Sequence, residues 1–287
     1  MKARRCGFAD IKRKFPRVLD IGANACNIAQ ALTSSTDASA EPLHTRISHL
    51  TSADVSTTLL HRDQYHEFNS RLPSHERVAL PLQDQTIPFA SQSFDAALSS
   101  LSMHWINDLP GYLNQIARIL KPDSPFMAAM LGGDSLFELR TSLQLSDLER
   151  RGGVSTHVSP LADVRDMGGL LTRAGFKMLT VDVDDIIIEY PSTFALMMDL
   201  QAMGESNAAL TREMAGLRKE VLLANDAIYR ELHAEGKEEL PATFRIIYII
   251  GWTPGEGQPE PEKRGSGQIN LADVLGKGGS PGEEGKI

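Results

Sequence analysis

Four clusters of small and polar residues carry the chemistry that this chain could perform. The first is Gly22-Ala23-Asn24-Ala25-Cys26, between an apolar run closing on Asp20-Ile21 and a stretch of helical character from about Ala25 to Leu32. A strand that runs through a small-residue turn into a helix opens nucleotide-binding α/β folds. Small side chains let a ligand lie against the backbone, and the first helical N–H groups point at it. Asp20, Gly22, Ala23 and Asn24 are the candidate contacts. Asp54 is the second cluster, at the end of the next expected strand. An acid there accepts from ribose hydroxyls, or serves as a helix N-terminal acid favoured by the dipole. The third is Gln83-Asp84, ahead of Ile87-Pro88-Phe89. Either side chain can accept from an exocyclic amine, or the stretch is a polar loop. The fourth is Ser99-Ser100-Leu101-Ser102-Met103-His104-Trp105. Ser99 closes a strand at the carboxyl edge of a sheet, where such folds bind ligands. His104 can act there as a general base and Trp105 can stack on a planar group. In the alternative reading, Trp105 anchors the following helix and His104 caps it.

The second half offers Asp134 in Gly132-Gly133-Asp134, then Glu138 and Arg140 on the next helix, as the lining of a substrate cleft. Glu205 and Asn207 lie in Met203-Gly204-Glu205-Ser206-Asn207, a polar break in a helical stretch flanked by methionines. Methionines at this density fill cores, and a polar break also suits the gripping of a partner peptide. No metal site is expected. His61-x-Asp63 has the spacing of two iron ligands, but residues two apart on a helix point to nearly opposite sides.

Positioning these residues requires alternating strands and helices. Strands are expected at 17–21, 45–53, 77–82, 94–99 and 126–131, with helices at about 25–32, 57–70 and from Asn107 to Leu120. Leu113, Ile116, Ala117 and Leu120 form the stripe of a helix packed on a sheet. Helices follow over 134–151 and from Ser159-Pro160 to Gly175. One long or two short strands span 176–190, helices span 191–240, and a last strand spans 244–252. This alternation is the signature of a mainly parallel sheet with helices on both faces. The organisation expected is a basic lead-in over 1–16, one domain over 17–253 with a helical insertion at 191–240, and a disordered Gly-, Pro- and Glu-rich tail over 254–287.

The bulk properties narrow the class. The chain has 287 residues, 41% of them hydrophobic, and a net charge of −8. That acidity argues against a nucleic-acid partner. No apolar run is long enough for a membrane span. Cys6 and Cys26 form neither a disulfide framework nor a zinc spacing.

The run Val18-Leu19-Asp20-Ile21-Gly22 resembles the first motif of S-adenosylmethionine-dependent methyltransferases, with Asn24 and Cys26 where later glycines belong. Gln83-Asp84 before Ile87-Pro88-Phe89 is similar to the segment in which an acid meets the adenine amino group. Four further strings resemble a narrower family, the mitochondrial complex I assembly factors with a methyltransferase fold. They are 99–110 (SSLSMHWINDLP), 131–140 (LGGDSLFELR), 157–160 (HVSP) and 199–207 (DLQAMGESN). The resemblance implies a Rossmann-like class I methyltransferase fold, with a seven-stranded mainly parallel sheet, an antiparallel last strand and a helical insertion before it. It implies an S-adenosylmethionine pocket and a mitochondrial matrix protein peripheral to the inner membrane. It also implies a complex I subunit or assembly intermediate as partner, and arginine hydroxylation of such a subunit. Methylation of a protein, carrier or small molecule, and a non-catalytic assembly chaperone, are the alternatives. Members carry a presequence and a helical region before the first strand, whereas this chain opens almost at that strand. The expectation is a truncated gene model or a missing cofactor lid.

Overall fold

The computed structural model describes residues 11, 13–34, 43–81, 85–207 and 216–259. One compact unit runs from Met1 to Gly255. Its frame is a seven-stranded sheet of order β3-β2-β1-β4-β5-β7-β6. The strands are β1 (Arg17–Ile21), β2 (His49–Asp54), β3 (His75–Ala79), β4 (Ala96–Ser100), β5 (Pro125–Leu131), β6 (Lys177–Tyr190) and β7 (Leu240–Trp252). The first five are parallel, and β7 runs antiparallel between β5 and β6. The strand order reverses between β1 and β4, so the crevice beyond their carboxyl ends is the natural ligand position.

Alternation along β1 divides the core. Leu19 and Ile21 face a cluster with Phe94, Leu113, Ile116 and Phe126, covered by α4 (Leu109–Ile119) and α6 (Val164–Arg173). Val18 faces the opposite cluster with Leu50, Leu60, Phe68 and Leu98, under α1 (Asn27–Thr33), α2 (Thr57–Arg62) and α3 (Phe68–Arg71). Each of these fully buried side chains contributes about 2 kcal/mol. Helix starts follow the expected signals. Ser56 Oγ accepts from Leu59 N, and Asp108 Oδ1 accepts from Gly111 N with Pro110 in the first turn.

A third cluster lies beyond the parallel sheet. β5 pairs with β7 only through Ile246–Trp252, while β6 continues beside β7 as far as Tyr190 opposite Leu240. The overhanging end of this hairpin is packed by α5 (Phe137–Arg151), α7 (Thr193–Met203) and α8 (Lys219–His233) around Leu139, Leu143, Leu196, Val221, Tyr229 and Phe244. The helical insertion before the last strand is therefore present.

Several expected boundaries move. The helix expected over 57–70 is two short ones, because Asn69 Nδ2 donates to the carbonyls of Asp63 and His66 and closes a turn between them. The second strand starts at His49, since Leu43–Arg46 makes a single tight turn. The third lies earlier than expected, held in register by Leu50 opposite His75. Phe94 makes only one bridge, to Leu120, so the fourth strand begins at Ala96. Helix α5 begins at Phe137, after the turn at 132–136, and α6 begins at Val164 behind the Asp163 cap. Residues 176–190 hold one long strand.

Candidate functional site

The turn after β1 keeps a glycine-like path without the later glycines. Gly22, Asn24 and Cys26 all adopt left-handed backbone, with φ of 73°, 49° and 61°. That conformation costs a residue with a Cβ roughly 1 kcal/mol. Hydrogen bonds offset the cost. The N–H groups of Gly22 and Ala23 both donate to Ala53 O, at 2.9 and 3.1 Å. Asn24 N donates to Asp54 Oδ2 and Ser56 N to Asp54 Oδ1, each at 2.8 Å. Asp54 thus ties the β1 turn to the end of β2, and each of its oxygens keeps a lone pair for a ligand. Gly22 is required for space as well. A Cβ there would come within 2.0 Å of Ser102 Oγ, which stands 3.0 Å from the Ser99 hydroxyl.

Beneath this turn lies the strongest electrostatic anomaly among the described residues. Asp20 is completely buried and neither carboxylate oxygen has a hydrogen-bond partner. Burial, and then the charge of Asp54, push its pKa up to about 8. The Ser52 hydroxyl, opposite it in register, works weakly in the other direction. The Ser52 hydroxyl is 2.9 Å from His75 Nε2, and His75 Nδ1 is 3.1 Å from Asn69 Oδ1. Burial and the nearby Arg77 lower the His75 pKa to about 4, so the ring is neutral. Its one N–H points at Asn69, and its bare nitrogen takes the Ser52 hydrogen. Neither oxygen of Asp20 gains a full hydrogen bond, and the group stays protonated near neutral pH until a cation or donor reaches it.

His104 sits in a tight turn, Met103–Trp105, beyond β4. Its side chain is only 2% exposed, with Nε2 2.9 Å from Glu205 Oε1 and Nδ1 buried without a partner. Trp105 is 37% exposed, its ring 5.6 Å from the His104 ring. The cap of α4 belongs to Asp108, so the capping role weighed for His104 is not the one it fills. Gln83 and Asp84 lie outside the described residues.

The other sequence candidates divide. Glu205 reaches back to His104, and Asn207 Nδ2 donates to Thr156 O at 2.5 Å. The segment after α7 is thereby fastened to both the β4 edge and the loop after α5. Glu138 points into the core, where Thr243 Oγ1 and N donate to it at 2.5 and 3.2 Å. Asp134 pairs with Arg245, whose guanidinium also grips both oxygens of Asp185 at 2.7 and 2.8 Å. Arg140 Nη2 donates to the carbonyls of Gly133 and Ser135. Arg245, Asp185 and Asp147 take part in this region without any local sequence signal. Arg245 and Asp134 are 111 positions apart, and only the fold brings them together. Among the described residues no group of three or more His, Cys, Asp or Glu side chains could hold a metal ion.

Residues 19–128 match the methyltransferase-domain family. The chain is 43% identical over 265 residues to the Danio rerio protein named "Arginine-hydroxylase NDUFAF5, mitochondrial", covering 92% of this chain and 77% of that one. The Homo sapiens protein of the same name is 44% identical over 268 residues, 93% of this chain and 72% of that one. The chain belongs to the NDUFAF5 arginine-hydroxylase family. All four strings singled out in the sequence lie in the part that NDUFAF5 relatives share. A more distant relative, named malonyl-[acyl-carrier protein] O-methyltransferase, from Laribacter hongkongensis, is 35% identical over 59% of this chain and 54% of its own length. Among solved structures, the YcgJ protein of Bacillus subtilis superposes with a TM-score of 0.57 at 13% identity, covering 86% of this chain and 96% of that one. A methyltransferase-like protein from Bacillus halodurans gives 0.54. These structures share the fold, a Rossmann-like class I methyltransferase architecture. No helix among the described residues is long and apolar enough to cross a membrane.

Proposed function

We propose that this NDUFAF5-family chain is a mitochondrial matrix protein that hydroxylates an arginine of a complex I subunit while the complex is assembled. The observation that carries the reading is the 42–44% identity to relatives named as mitochondrial arginine-hydroxylases, over 92–93% of this chain. Its strings meet in space as well. His104 contacts Glu205, Asn207 contacts Thr156, and Arg140 lies beside Thr156, His157 and Val158.

The residues present fit S-adenosylmethionine. The ligand carries an ammonium and a sulfonium, and the donor set beneath and beside the β1 turn is anionic or accepting: Asp20, Asp54 and the Ser99 hydroxyl. Asp20 is the carboxylate with no partner of its own. Asp54 would take the ribose hydroxyls on its remaining lone pairs, and Gly22, Ala23 and Asn24 would supply the backbone surface. Bound there, the cofactor would supply a sulfonium group with a transferable methyl. His104, with its Nε2 hydrogen committed to Glu205, has its Nδ1 face left for a substrate proton. The Trp105 ring lies 5.6 Å from the His104 ring, tilted by 45°. Hydroxylation inserts one oxygen atom into a C–H bond, so the reaction draws on an oxidant beyond these side chains. The substrate, a protein, would enter under the segment fastened at Glu205 and Asn207.

The decisive experiment is mass spectrometry of complex I subunits from cells lacking the protein and from cells rescued with it. Hydroxylation adds one oxygen to an arginine-containing peptide. A gain of one methylene instead supports the second reading, protein methylation, which the methyltransferase-domain match over 19–128 favours. Restored assembly with neither mass change is the outcome expected of a chaperone.

A further inference from the structure

The guanidinium of Arg140 is only partly engaged. Its Nη2 spends both hydrogens on the carbonyls of Gly133 and Ser135, at 3.1 and 3.2 Å. Among the described residues Nε and Nη1, with three N–H donors, have no partner, and no carboxylate forms an ion pair with the group. One turn along α5, Gln144 projects from the same face and has no hydrogen-bond partner among the described residues. Arg140, Gln144 and residues 155–158 enclose a cavity of about 50 Å³. Room for one water takes roughly 10–15 Å³ on the same measure, so this space holds a group of a few heavy atoms.

The acid behind residues 155–157 is already satisfied. Asp147 is fully buried and accepts from Ser155 N at 3.1 Å, Ser155 Oγ at 2.6 Å, His157 Nε2 at 2.6 Å and Arg151 Nη1 at 3.4 Å. Burial works to raise its pKa, but these hydrogen bonds from Ser155 and His157 prevail and hold it below the usual carboxylate range. Asp147 therefore organises the far wall of the cavity and does not neutralise Arg140. The wall is further fixed by Asn207 on Thr156 O. A preorganised pocket with an uncompensated cation, a primary amide and space for a few atoms has the chemistry of a carboxylate receptor.

We infer that the cavity between α5 and residues 155–158 is a carboxylate-binding subsite, with Arg140 as its cation and Gln144 as a second donor. The carboxylate belongs either to an acidic side chain of a docking protein or to a small free acid. The inference goes beyond the arginine chemistry proposed above and holds whichever reaction the sheet edge performs.

Titration of the full chain with sodium acetate, read on the Arg140 Nε–H resonance, tests it against sodium chloride at equal ionic strength. The expected result is a saturating shift with acetate alone. Gln144→Glu places a carboxylate one helical turn from Arg140, at an exposed position that the fold does not use, and is expected to weaken acetate binding about tenfold or more by occupying the site from within. Arg140→Gln is expected to abolish acetate binding, read on the Gln144 side-chain amide resonance, with the Gln144→Glu result standing in should loss of the Gly133 and Ser135 contacts unfold that variant. A short glutamate-containing peptide and its glutamine counterpart separate the sources. Preference for the glutamate peptide assigns the subsite to a docking protein, and saturation by acetate without that preference assigns it to a free acid. Equal shifts from acetate and chloride, or acetate binding untouched by Gln144→Glu, would overturn the inference.

Discussion

The two halves of the carboxyl edge treat buried charge in opposite ways. On the β1–β2 side, Asp20 is enclosed with neither oxygen hydrogen-bonded. On the insertion side, Glu138 and Asp147 are equally enclosed, yet each has several donors. A carboxylate buried with its partners belongs to the scaffold, and one buried without them is waiting for a group from outside. On the proposed reading, the cofactor-facing carboxyl lies under the β1 turn, and the buried carboxylates of the insertion serve the scaffold.

The largest way to break this contrast is Glu138→Ala. It strands Thr243 N and Oγ1 in the core, and a loss of about 3 kcal/mol in urea-melt stability is expected. A loss below 1 kcal/mol would mean that Glu138 is not architectural. Asp20→Asn should act in the other direction. With the folded pKa at about 8 and an unfolded value near ~3.9, the native state holds an extra proton between those limits. Native stability therefore falls as pH climbs from about 4 to about 8. The asparagine variant should lack that slope and be more stable at pH 8 by on the order of 5 kcal/mol, with no gain near pH 4, measured as urea midpoints across pH. The same substitution should weaken S-adenosylmethionine binding by about 100-fold or more, since the carboxyl group that would ionise against the ligand's positive charge is gone. Calorimetry in buffers of different ionisation heat sharpens the point: the parent should release protons on binding at pH 7, and the variant should not.

Gly22→Ala comes next, with an expected loss of about 2 kcal/mol from the left-handed backbone and the overlap with Ser102. Pairing it with Ser102→Gly should recover the steric part alone. The smallest effect expected is from Glu205→Gln. The pair with His104 is partly solvated, with Glu205 19% exposed, and its loss should cost about 1 kcal/mol or less. It should show as faster amide exchange confined to the segment around Gly204–Asn207. Exchange that instead rises throughout the parallel sheet would undo the division between the two halves.

Much of the fold could be read from local pattern. Apolar runs ending in Asp20, Asp54 and Ser99, each followed by a helix signal, specify parallel strands whose loops converge on one edge. The left-handed turn is legible at Asn24, because asparagine is a residue type that tolerates that backbone. Cys26 was not, because nothing in a cysteine favours that conformation and the bonds around Ala53 and Asp54 impose it. The roles of Asp134 and Glu138 were hidden too. An acid after a strand looks alike whether it faces a ligand or a core, and their partners Arg245 and Thr243 lie more than a hundred residues away. The break in the helix over 57–70 turns on one amide, Asn69, bonding back to two carbonyls. Periodicity does not register such a bond.

The overhang of β6 and β7 has an evolutionary reading. Because the hairpin continues past the last residue of β5, the helices at its end rest on a foundation of their own, with a core that shares little with the clusters beneath the β1 turn. Substitutions in α7 and α8 are absorbed there, leaving the register of the parallel strands as it was. On the proposed function, the molecule would act as a fixed chuck with an exchangeable jaw, its grip on a substrate recut while the seat beneath the β1 turn stays as it is.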